Sequence, residues 1–80
     1  MKIYTTRYCP YCLRAKRSLE KKSVPYEEID VGGDDEARMG LVRRTGRRTV
    51  PQIFIGDRHV GGSDELHALE QQGELDPLLQ

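Results

Sequence analysis

The chain has 80 residues, 13 basic and 13 acidic, with a formal net charge of zero and only two cysteines. That length fits one domain, residues 1–80, with a modest core and marginal stability, so function must rest on one site with few parts. The zero balance gives no general pull toward nucleic acid or anionic membrane; with no apolar run near the ~18 residues of a membrane span and no secretory leader after Met1, the expectation is a cytosolic monomer binding neither.

Lys2 to Thr6 (KIYTT) is short, rich in β-branched and aromatic residues, and reads as a strand. Pro10 suits the first position of a helix, where its missing N–H would be unpaired anyway. Cys12, Ala15 and Leu19 then recur at i, i+3 and i+7 as a narrow buried stripe, with Arg14, Lys16, Arg17, Lys21 and Lys22 on a solvated face. The helix should end near Ser23, because Pro25 biases Val24 away from helical angles. Pro25 to Val31 (PYEEIDV) reads as a second strand, parallel to the first because a helix crosses between them.

Gly32 and Gly33 make a loop, and Asp34 is a good N-cap for a second helix, with Asp35 and Glu36 suited to its first turn. It runs to about Thr45, where Gly46 offers a stop. Gln52 to Ile55, a Gly56-Asp57 turn and Arg58 to Gly61 form a hairpin. Ser63 can cap a third helix with Asp64 and Glu65 in its first turn and Leu66 and Leu69 inward. Gly73 ends that helix, and Asp76-Pro77 starts one last short turn. The order β-α-β-α-β-β-α predicts an α/β fold, a four-stranded mixed sheet with helices on both faces.

Cys9 and Cys12 are separated by Pro10 and Tyr11. A structural disulfide closing so small a loop would remove little chain entropy, and static disulfides are rare in reducing cytosol. A structural zinc site wants four ligands, usually two such pairs. Only His59 and His67 could add to this one; their spacing matches no finger, and each reads as a surface histidine. A reversible dithiol fits best, because the pair lies where a strand hands over to a helix within a βαβ unit. At Cys9 the unpaired N–H groups of the first turn and the helix dipole favour thiolate, and Arg7 adds positive charge. Cys12 lies about one turn deeper, on the covered stripe. Cys9 should therefore attack and Cys12 resolve the mixed disulfide.

Two further segments carry binding signals. Pro51 cannot donate to a ladder and belongs at the entry of a strand; an outward-turned Val50 backbone there would accept an extended peptide as an added strand. Gly61 to Asp64 lies at a helix N-terminus, which suits a carboxylate, while Asp64 suits an ammonium group. A carboxylate site, an ammonium partner and a strand-like edge together suit a small charged peptide bearing a thiol, as glutathione is.

The segments CPYC, TVPQIFIG and GGSDEL, in this order and spacing, resemble those of short bacterial dithiol glutaredoxins, and the likeness covers essentially the whole chain. The resemblance implies a thioredoxin-like fold with a cis bond at Pro51. It implies reduction of disulfide-containing and glutathionylated proteins, with glutathione as reducing co-substrate and no bound cofactor or metal. By position, Cys9 matches the nucleophile and Cys12 the resolving thiol. Tyr11, Thr49, Val50, Pro51, Ser63 and Asp64 match glutathione-contacting positions, and Arg38 one that often meets the glycyl carboxylate. There are two departures. Thr6 stands where relatives often carry lysine, with Arg7 beside it as a substitute. Ser63 stands where many have cysteine, keeping the backbone contact and the cap. A redoxin served by thioredoxin reductase is disfavoured by the GG-x-D segment, and an iron–sulfur carrier by Pro10 after the first cysteine.

Overall fold

The computed structural model describes residues 1–7 and 9–79. In chain order the elements are β1 (Lys2–Thr5), α1 (Pro10–Lys21), β2 (Glu27–Asp30), α2 (Asp35–Thr45), β3 (Gln52–Ile55), β4 (Arg58–Gly61), α3 (Ser63–Gln71) and α4 (Leu75–Leu79). The strands form one mixed sheet in the order β2-β1-β3-β4. β1 runs parallel to β2 and antiparallel to β3, and β3 pairs antiparallel with β4. This is the thioredoxin-like arrangement expected. Among the described residues, no helix is long and apolar enough to cross a membrane.

Strand alternation sorts the core into two layers. Ile3 and Ile53, opposite one another in register, point to one face and pack with Ala15, Leu19, Leu66 and Leu75 from α1, α3 and the start of α4. Phe54, one residue on, points to the other face and packs with Val31 and Leu41, the latter from α2, flanked by Tyr4, Ile29 and Val50. The helices therefore cover both faces. The buried stripe of α1 is Cys12, Ala15 and Leu19 as predicted.

Several boundaries move for local reasons. β2 is shorter than Pro25 to Val31, because β1 offers partners only from Lys2 opposite Glu27 to Thr5 opposite Asp30. α1 is closed by its own backbone rather than by Pro25: Ser23 N–H donates to Glu20 C=O at 3.0 Å and Val24 N–H to Leu19 C=O at 2.9 Å, with Ser23 left-handed at φ 59°. That is a Schellman closure. α2 keeps its predicted ends: Asp34 caps it by accepting from Ala37 N–H at 3.0 Å, and Gly46 stops it at φ 72°. α3 corrects the expected Ser63 cap. Gly62 occupies the N-cap with no side-chain cap bond, and Ser63 is the first helical residue. α4 starts one residue before Asp76, at Leu75, whose side chain is buried in the core.

Candidate functional site

The two thiols sit at the junction of the loop after β1 with α1, and they are unequal. Cys9 is the N-cap of α1, half-buried, and its Sγ accepts the Cys12 backbone N–H at 3.3 Å. The cap position aims that N–H at the sulfur, and Pro10 at the first helical position leaves no unpaired donor of its own. The Cys9 thiol also faces the Val50 carbonyl at 3.5 Å, which brings the cysteine loop to the Thr49–Pro51 segment. Cys12 is 1% exposed. Burial above all, then the neighbouring Cys9, pushes its thiol up to about 12, against a partial offset from a Thr6 backbone hydrogen bond. At neutral pH Cys12 is a protonated, covered thiol beside an accessible sulfur.

Next to this pair runs a groove of about 270 Å³ lined by Tyr11, Arg47, Thr49, Val50, Pro51, Gly62, Ser63, Asp64 and Glu65. The Val50–Pro51 bond is cis, as the resemblance implied. One wall is the strand entry before β3; the other is the N-terminus of α3. Tyr11 is 59% exposed, an aromatic surface left open beside the cysteines. Ser63 is buried, and its hydroxyl finds no hydrogen-bond partner among the described residues. Gly61 brings β4 into α3 at φ 123°, where a side chain would meet Glu65. The structure thus gathers six of the residues singled out from sequence into one groove: Tyr11, Thr49, Val50, Pro51, Ser63 and Asp64.

Arg7 and Arg38 line a different cleft, of about 690 Å³, with Thr6, Asp30, Gly32, Gly33 and Asp34. Arg38 is tied to the groove only indirectly, through a 3.3 Å hydrogen bond from its guanidinium to the Arg48 carbonyl, one residue before Thr49.

The sequence reading missed Arg47 and Glu65, which line the groove and form an ion pair with each other. The Arg47 guanidinium holds the Glu65 carboxyl below the usual carboxylate range. Glu65 lies within the GGSDEL segment and Arg47 two residues before Thr49, but neither carries a local signal of the other, which only the fold brings alongside. His59 is also not the surface histidine expected. It is half-buried, its ring packs on Phe54 at 5.0 Å between centroids, and its Nε2 bonds Gln52 Oε1 at 2.7 Å. Burial, then Arg47, lowers its pKa from the ordinary imidazole value. No three His, Cys, Asp or Glu side chains gather among the described residues in a way that could hold a metal ion.

Residues 1–60 match the glutaredoxin family model. The chain is 57% identical to a glutaredoxin of Pseudomonas aeruginosa, over 96% of this chain and 92% of the relative. It is 49% identical to glutaredoxin 3 of Escherichia coli K12, over 99% and 95% respectively. Among solved structures it is similar to a buckwheat glutaredoxin–glutathione complex, with TM-score 0.92 and 33% identity over 98% of this chain and 74% of that one. It is also similar to the solution structure of a Brucella melitensis glutaredoxin, with TM-score 0.88 and 52% identity over 98% and 85%.

Proposed function

The chain belongs to the glutaredoxin family, and from that premise we propose that it is a glutathione-dependent thiol–disulfide oxidoreductase, with Cys9 as nucleophile and Cys12 as resolving thiol. The observation that carries the reading is the sulfur of Cys9, capped by the Cys12 N–H and facing the Val50 carbonyl beside an open groove. The buckwheat relative, which shares this fold, is described as a complex with glutathione.

On a glutathionylated protein, the Cys9 sulfur attacks the glutathionyl sulfur. The protein–glutathione S–S bond breaks, a Cys9–glutathione disulfide forms, and the protein thiolate leaves and takes a proton from solvent. A second glutathione, as thiolate, attacks that disulfide and releases oxidised glutathione and Cys9. One free glutathione thiol is thus consumed per turnover, the other half of the oxidised glutathione coming from the substrate's own mixed disulfide. On a protein disulfide, Cys9 forms a mixed disulfide with one target sulfur. Cys12 then gives up its proton and attacks Cys9 Sγ, releasing the reduced target and leaving a Cys9–Cys12 disulfide for two glutathiones to reduce. Proximity makes this internal step effective despite the protonated resting state of Cys12.

Glutathione would lie extended along Val50, between Tyr11, Thr49 and Pro51 on one side and Ser63 and Asp64 on the other. Its γ-glutamyl carboxylate would meet the first turn of α3, where the helix dipole favours negative charge, and its ammonium would meet Asp64. Arg7 and Arg38 are the cations proposed for the glycyl carboxylate. Residues 1–80 would act as one cytosolic, monomeric domain, with disulfide-containing and glutathionylated proteins as partners. The test is turnover of a glutathionylated peptide with glutathione and glutathione reductase, against turnover with thioredoxin reductase alone. Activity only in the first supports the reading; activity only in the second replaces it with a thioredoxin-reductase-driven redoxin.

A further inference from the structure

We propose that Gln52 is a positioning residue that aims the Val50 N–H into the groove, and that His59 holds Gln52 in the orientation this requires; the inference rests on the glutathione reading of the groove.

Gln52 is the first residue of β3, and it is 0% exposed. A buried amide must find partners for its polar atoms. Its Nε2 donates to the Thr49 carbonyl at 2.8 Å and approaches Thr49 Oγ1 at 3.3 Å. The Thr49 carbonyl can only accept, so the amide must turn its NH₂ toward it. That choice leaves Oε1 toward His59, so the 2.7 Å contact requires a proton on His59 Nε2. His59 is placed for this by the hairpin. It lies opposite Phe54, two residues along β3 from Gln52, and stacks on that ring at 5.0 Å.

The consequence follows from peptide geometry. In a trans peptide, the C=O of one residue and the N–H of the next lie in one plane and point in opposite directions. With the Thr49 carbonyl drawn inward to Gln52, the Val50 N–H is directed away from the core. This is the donor that an extended peptide needs when it pairs as an added strand. The same chain of contacts reaches the nucleophile, since the Val50 carbonyl faces the Cys9 thiol at 3.5 Å. A residue on β4, remote from the cysteines in sequence, thereby controls the docking edge beside them.

Three variants of the full chain test this: Gln52→Met and Gln52→Leu, close in volume but unable to donate to the Thr49 carbonyl; and His59→Phe, which keeps a ring on Phe54. Each is first checked for folding by circular dichroism and thermal melting. The expected result is a KM for glutathionylated peptide raised roughly five- to tenfold in both Gln52 variants, the scale of one lost hydrogen bond, with kcat within about twofold of the wild type. His59→Phe should raise KM by about two- to fivefold on the same basis. Val50 amide exchange, measured without glutathione, should change in all three. A folded Gln52→Met with wild-type KM and wild-type Val50 exchange would overturn the proposal. If the wild type itself shows no glutathione-dependent turnover, the glutathione reading fails instead, and Val50 exchange in the variants still decides whether Gln52 positions this backbone.

Discussion

At the scale of single residues, the two cysteines differ by environment rather than by chemistry. Cys9 has its sulfur at a helix N-terminus and partly open, while Cys12 is covered and pushed up to about 12. Limited alkylation with iodoacetamide at pH 7 should therefore modify Cys9 and spare Cys12, read by peptide mass spectrometry. In Cys9→Ser, modification of Cys12 should stay slow through the neutral range and rise only under strongly alkaline conditions. Rapid modification of Cys12 at pH 7 would contradict its covered state. The cysteine pair, the Thr49–Pro51 turn and the Gly61–Asp64 entry were legible in sequence because each is a run of adjacent residues. Arg47 with Glu65, and Gln52 with His59, were not, because tertiary register brings those partners together across 18 and 7 positions.

At the scale of elements, the chain closes two helices with the same motif and different residues. α1 ends with Ser23 at φ 59° and the Val24–Leu19 bond; α3 ends with Gly73 at φ 71° and an equivalent 2.9 Å bond from Glu74 N–H to Leu69 C=O. A left-handed backbone costs a residue with a Cβ about 1–2 kcal/mol, and glycine much less. Ser23→Gly should therefore stabilise the protein, by up to about 1 kcal/mol after the added unfolded-state entropy is set against it. Gly73→Ala should destabilise it by about 1–2 kcal/mol. Both are read as shifts in urea midpoint at constant slope, and a destabilised Ser23→Gly would refute the assignment of strain to that turn. The stop at Ser23 was legible from Pro25, but its mechanism was not, because serine gives no local signal for a left-handed turn. The Ser63 cap failed for a related reason: Gly62 sits in extended backbone at φ −101° and takes the cap, carrying Ser63 into the first turn.

At the scale of the whole molecule, successive residues of β1 and β3 point to opposite faces and divide the core into two layers. The mixed sheet with its parallel first pair and its hairpin was legible in sequence, but the order β2-β1-β3-β4 was not, because nothing local says which edge of β1 the hairpin joins. One tie between the layers of the βαβ unit is electrostatic. Lys16 on α1 meets Glu28 on β2 at 2.9 Å, and the buried Thr5 hydroxyl on β1 donates to the same carboxylate at 2.8 Å. Lys16 first, then Thr5, holds the Glu28 carboxyl below the usual range. Because its folded value lies below the unfolded one, this stabilisation is complete above the unfolded value of about 4.3 and disappears as pH falls through the folded value. Glu28→Gln should thus destabilise at neutral pH by at most about 1 kcal/mol, since the pair is partly exposed and screened. The difference from wild type should shrink toward zero in strong acid, as urea unfolding across that range would show.

The central claim, that Cys9 attacks and Cys12 only resolves, is tested most directly by the two single-cysteine variants on a glutathionylated peptide at constant glutathione. Cys12→Ser should keep most of the wild-type rate, because a second glutathione can resolve the Cys9 mixed disulfide from outside, while Cys9→Ser should be inactive, because Cys12 is 1% exposed and cannot reach an external sulfur. An active Cys9→Ser beside an inactive Cys12→Ser would contradict the account.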